Sequence, residues 1–169
     1  MMKVLVPVDA SSNTENALRH IVNEFMQNSS MQIHLLHVRM SLPRYVTRFL
    51  AKRARDSFYA EMAEKALAPA KQCLERHGIP YSAEVRSGER ASAIVEAATR
   101  LQCDRIVMGT ARKNSLTRML EDSTTIKVLE RTTVPVEVIA GDSISRLERY
   151  GLPAGVGGAI ALLVAAAAD

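Results

Sequence analysis

The chain has no tryptophan, three phenylalanines and four tyrosines, so aromatic residues make up only 4% of it. A surface that stacks nucleic-acid bases needs such rings, and no nucleic-acid partner is expected. Cysteine is nearly as scarce, with Cys73 and Cys103 alone. Neither sits in a Cys-x-x-Cys pair and no His-x-x-x-His spacing accompanies them. They read as small apolar groups in a reducing compartment. The phosphate-loop pattern G-x-x-x-x-G-K-[ST] is absent. The first apolar run, Lys3 to Val8, is too short for a secretory signal and has no cleavage site, which points to the cytoplasm. Charge of one sign is also missing in bulk. With 22 Lys and Arg against 18 Asp and Glu, the formal net charge is +4, mild enough to permit anions without announcing a polyanion. What remains is ordinary. The 169 residues, 47% hydrophobic and 24% charged, suit one domain with a proper core and exclude wholesale disorder.

Residues 1–140 alternate short β-branched runs with longer helical patterns. Lys3–Val8, Met31–Val38, Tyr81–Arg86, Asp104–Met108 and Val134–Ala140 read as strands. Ser12-Asn13-Thr14-Glu15 fits a capping box opening a helix, with Leu18, Ile21, Val22 and Phe25 on its inner face. A second helix should run to about His77 and stop at Gly78 and Pro80, with a kink or break at Pro69. A third follows Ser87-Gly88 and turns Ile94, Val95, Ala98 and Leu101 inward. A fourth spans about Ser115 to Arg131. Such alternation means βαβ units and a doubly wound α/β fold, a parallel sheet with helices on both faces. Pro135 and Glu137 share a face of the last strand and mark it as an edge. That edge either faces solvent or pairs with its copy in a second subunit.

Ligands of open parallel sheets bind beyond the carboxyl ends of the strands, where strand order reverses. Two strand ends stand out. Pro7-Val8-Asp9 brings an acid to a helix start, where it can accept from a base amino group or a sugar hydroxyl. Met108-Gly109-Thr110, with Arg112 and Lys113 after it, offers a glycine and cations to an anionic group. No serine has a supporting histidine and carboxylate, and His34 and His37 fall on opposite strand faces. Neither nucleophilic catalysis nor a metal is therefore expected.

These pieces, in this order, resemble the universal stress protein family over residues 2–140. The resemblance rests on Lys3-Val4-Leu5-Val6-Pro7-Val8-Asp9, His37-Val38, Asp104-Arg105-Ile106-Val107-Met108-Gly109-Thr110 and Val134-Pro135-Val136-Glu137-Val138-Ile139. It implies a single five-stranded sheet of order 3-2-1-4-5, of the adenine-nucleotide alpha-hydrolase-like type. It also implies a homodimer joined through the last strand, Val134 to Ile139. Members act in stress response or signalling rather than as enzymes. One branch binds ATP through Gly, two residues, Gly, nine residues, then Gly and Ser or Thr. Here Gly109 and Ser123, followed by Thr124, match that motif. Arg112 and Asp122 stand where its second and third glycines belong. A side chain at the first bars the close approach of phosphate, and a carboxylate at the second repels it. On the base side, Asp9 and Val38 match the family's contact positions, and Val8 lines the same strand end. The expectation is weak binding of ATP or AMP, or no ligand.

Outside the shared pattern, Arg44, Arg48, Lys52 and Arg55 form a basic stripe, either a solvated helix face or a contact for a membrane, an RNA or an acidic partner. Residues 141–169 form an extension, polar over Asp142 to Tyr150, that reads as helical from about Pro153, within a run from Gly151 that carries no charge until Asp169. It is rich in Ala and Gly. Packing on protein is ranked ahead of membrane contact for it. Three functions are thus weighed: a non-enzymatic stress factor, an ATP-binding or nucleotide-hydrolysing protein on the same fold, and a membrane-peripheral adaptor.

Overall fold

Three consecutive residues of the first strand, Val4, Leu5 and Val6, are fully buried. A strand with no polar alternation must be covered on both faces, and the sheet around it is built accordingly. The computed structural model describes residues 1–9, 11–39, 52–110 and 124–140. Along these run β1 (Met2–Pro7), α1 (Ser12–Gln27), β2 (Met31–Arg39), α2 (Lys52–Arg76), β3 (Tyr81–Ser87), α3 (Arg90–Leu101), β4 (Arg105–Thr110), α4 (Thr124–Arg131) and β5 (Val136–Ala140).

The five strands form one sheet in the order β3-β2-β1-β4-β5, and every pairing is parallel. The order 3-2-1-4-5 is therefore as expected. Side-chain alternation sorts the core into two layers. Val4, Val6, Ile33, Leu35 and Val107 meet α1 and α2 through Leu18, Ile21, Leu67 and Leu74. Leu5, Leu36, Ile106 and Met108 meet α3 and α4 through Ile94, Ala97 and Val128. At the amino-terminal end of the sheet, Lys3 N donates to Asp104 Oδ2 at 2.6 Å, and Asp104 N donates back to Lys3 O at 2.9 Å.

Several local expectations need correcting. The Ser12–Glu15 capping box does not form. The helix already begins at Ser12, Ser11 is the N-cap residue, and its side chain makes no capping bond. That hydroxyl is spent on Asp9 instead. α2 continues through Pro69 without a break. Pro69 is itself exposed, and the buried Ala66, Leu67, Ala70 and Leu74 on either side of it in sequence keep the helix packed across the missing hydrogen bond. β4 runs past Met108 through Gly109 and Thr110, because both pair with β5, to Ile139 and Ala140. β5 begins at Val136 rather than Val134. Pro135 precedes it, and its carbonyl accepts from Ile106 N at 2.9 Å.

β5 is an edge strand as expected. Glu137, however, is no idle surface acid. Its Oε2 accepts from Arg105 Nη1 at 2.9 Å, and its Oε1 lies 2.7 Å from His20 Nε2. Arg105 also pairs with Glu24 and touches Met31 Sδ at 3.6 Å. One guanidinium thus ties α1 to β5. The cluster of His20, Glu24 and Glu137 carries its own cation in Arg105. Arg44, Arg48 and the extension from 141 to 169 lie outside the described residues. No helix among the described residues is long and apolar enough to cross a membrane.

Candidate functional site

Strand order reverses between β1 and β4, and a crevice opens beyond the carboxyl ends of these two strands. β1 and the turn after it contribute Pro7, Val8, Asp9 and Ser11, and the first turn of α1 adds Asn13 and Thr14. The end of β2 adds Leu36, His37 and Val38. β4 supplies Met108 and Gly109, α3 supplies Arg90 and Ile94, and the first turn of α4 supplies Thr124 and Thr125. The enclosed volume is about 120 Å³. Whole ligand clefts run to roughly 300–1,000 Å³, so this space suits one ring system, with the rest of a larger ligand reaching past the rim.

Asp9 is held by several hydrogen bonds in the crevice. Its Oδ1 accepts from Ser11 N at 3.0 Å, Ser11 Oγ at 2.5 Å and Thr14 Oγ1 at 2.7 Å. Thr14 Oγ1 in turn accepts from Asp9 N at 3.1 Å. Oδ2 has no hydrogen-bond partner among the described residues, so the carboxylate is fixed through one oxygen. Partial desolvation would raise the carboxyl pKa. The bonds from Ser11 and Thr14, with the Arg90 charge, outweigh it and hold Asp9 below the usual range. Asp9 is thus an ionised acceptor at neutral pH.

Gly109 has a packing task. A Cβ built there would fall well inside 3.0 Å of the Asn13 carbonyl oxygen and 3.2 Å from Asn13 Cα. The first turn of α1 lies directly against the end of β4, and only a residue without a side chain fits between them. His37 Nδ1 donates to the Val8 carbonyl at 3.0 Å and so braces the β1 end from β2.

Of the residues singled out in the sequence, Pro7, Val8, Asp9, Val38, Met108, Gly109 and Thr124 come together in this crevice. Thr110 does not line it. Arg112, Asp122 and Ser123 lie outside the described residues. Asn13, Thr14, Thr125 and Arg90 were missed. Thr14 carried a signal, a polar residue one turn into a helix beside an acid. Arg90 carried another, since α3 also starts at a strand's carboxyl end.

The sequence matches the model of the universal stress protein family over residues 1–140. Universal stress protein MJ0531 of Methanocaldococcus jannaschii is 28% identical over 143 residues, covering 81% of each chain. Among solved structures, the hypothetical protein MJ0577 superposes with a TM-score of 0.68 at 26% identity, over 84% of this chain and 97% of that one. A universal stress protein family member from Arabidopsis thaliana, solved with AMP bound, gives 0.61 at 18% identity, over 85% and 93%.

Proposed function

Given that the chain belongs to the universal stress protein family, we propose that it is a non-enzymatic stress-response factor whose crevice takes up an adenine nucleotide weakly. The observation that carries this reading is Asp9, anchored through one oxygen and with no described partner on the other, in the lining of a space of one-ring size. An amino group on a purine edge is a donor that such an acceptor selects. The structural relative from Arabidopsis thaliana that holds AMP supports the same ligand class.

Binding rather than turnover fits the chemistry of the described lining. Its ionisable groups are Asp9, His37 and Arg90. Asp9 is ionised, and the His37 Nδ1 proton is committed to the Val8 carbonyl. The Ser11 and Thr14 hydroxyls both donate to Asp9, so neither is poised as a nucleophile. The other edge of β5 pairs with no strand among the described residues and suits a second copy of the chain. One side of this strand pairs with β4, and Val138 is 39% exposed. Two free cysteines, one of them buried, suit the reducing cytoplasm.

Calorimetric titration of the purified protein with AMP, ATP and adenosine tests the ligand class, alongside a nucleotide turnover assay. Measurable adenosine and AMP binding without turnover is expected. ATP binding tighter than about 1 μM would refute the weak-binding part, and sustained hydrolysis would refute the non-enzymatic part. Light scattering of Val138→Lys against wild type tests the edge, and a mutant that stays dimeric would refute it.

A further inference from the structure

Arg90 opens α3, and nothing in the helix explains it. A cation in the first turn opposes the helix dipole, which favours anions there. The stabilising work at this terminus is done by Glu89. Its carboxylate accepts from Ala91 N at 3.2 Å and Ser92 N at 2.8 Å, and it pairs with Arg131 Nη1 at 2.7 Å. The amides of the first turn are therefore already occupied, and so is the neighbouring acid. Arg90 itself is exposed and makes no hydrogen bond or ion pair with any described residue. Yet it lines the same crevice as Asp9.

We propose that Arg90 is the residue that receives the ligand's phosphate, so that the crevice selects a nucleoside monophosphate over the free nucleoside. This rests on the adenine-nucleotide reading given above and adds to it the group that reads the charged end. The two charges of the lining have opposite sign, and although the Arg90 charge helps keep Asp9 ionised, each suits a different part of a nucleotide. The open oxygen of Asp9 accepts from an amino group on the base. The planar guanidinium of Arg90 donates a fork of N–H groups that matches two phosphate oxygens. The crevice, about 120 Å³, is smaller than a whole nucleotide, and Arg90 lines it while staying exposed to solvent, within reach of a group that extends out of it. A phosphate held by a side chain does not depend on a glycine-rich loop, and at two of its glycine positions this chain carries Arg112 and Asp122 instead.

The test is calorimetric titration of the full-length protein with AMP and with adenosine, for wild type, Arg90→Ala and Arg90→Lys. A charge-assisted bond to phosphate predicts that wild type prefers AMP by about tenfold or more. In Arg90→Ala the ratio should fall to near one while adenosine still binds, which also shows that the variant is folded. Arg90→Lys should keep part of the preference. A preference for AMP that survives Arg90→Ala overturns the assignment, as does a wild type that binds both ligands equally. If wild type binds neither ligand, the adenine-nucleotide reading itself fails and this one fails with it.

Discussion

Replacing Gly109 by alanine tests how closely the site is built. The added methyl meets the Asn13 backbone, not a flexible side chain. Relief therefore requires the first turn of α1 to back away from β4, or β4 to bend. Neither move is easy. The turn is tied by the Asp9–Ser11–Thr14 bonds, and the helix behind it is seated by Ala17, Leu18 and Ile21, each fully or almost fully buried. β4 is hydrogen-bonded on both sides, to β1 and to β5. Overpacking of a tight site costs about 1–3 kcal/mol, and an obstacle made of backbone puts Gly109→Ala at the upper end, about 3 kcal/mol. For a chain of this size that lowers Tm by about 6–12 °C, read by calorimetry or circular dichroism. Ligand affinity should fall as well, because Asn13 and Gly109 both line the crevice. Adding Asn13→Gly should not rescue the variant, since the collision is with a carbonyl that glycine also carries. A Tm within about 2 °C of wild type, or a rescue by Asn13→Gly, would refute the reasoning.

Other outcomes follow from the same geometry. Gly78 sits at φ +64° with open space around its missing side chain, so Gly78→Ala should cost only the left-handed strain, about 1–2 kcal/mol, measured by urea unfolding. Arg105, with 18% of its side chain exposed, joins Glu24 of α1 to Glu137 of β5. Arg105→Ala leaves those carboxylates without their cation and should cost about 2 kcal/mol, between the values for exposed and buried pairs, and Glu137→Ala on that background should cost little more. Asp9 has a folded pKa below 3.8, so its stabilising effect is complete above that value and is lost as pH falls through the folded pKa. Asp9→Asn should therefore flatten stability against pH on the acid side of about 4. In the same way, bonds from the Ser92 amide and hydroxyl hold Glu89 down to about 2. NMR titration should find its carboxyl changing there, and Ser92→Ala should move it upward.

Much of the fold is legible locally. β1 and β4 announce themselves as apolar runs because both faces of each are covered. The inner face of α1 follows from the spacing of Leu18, Ile21 and Val22. Boundaries were harder, because they depend on partners far along the chain. β4 extends through Gly109 only because β5 pairs with it. Pro69 breaks no helix because its ring faces water and its neighbours are packed. Arg105 reads as a charge at a strand start, while its partners come from positions 24, 31 and 137.

The sequence by itself determined which segments become strands and helices, and that Asp9 and Gly109 would each stand at a strand's carboxyl end. Such choices depend on side chains within a few residues of one another. The strand order came with the family resemblance and not from any spacing of residues. Only the tertiary structure decided that Gly109 makes room for the first turn of α1, and that Arg90, from a third βα unit, joins Asp9 in one crevice. Those facts depend on how distant elements pack, and no local pattern encodes the distance between the ends of two strands separated by a hundred residues.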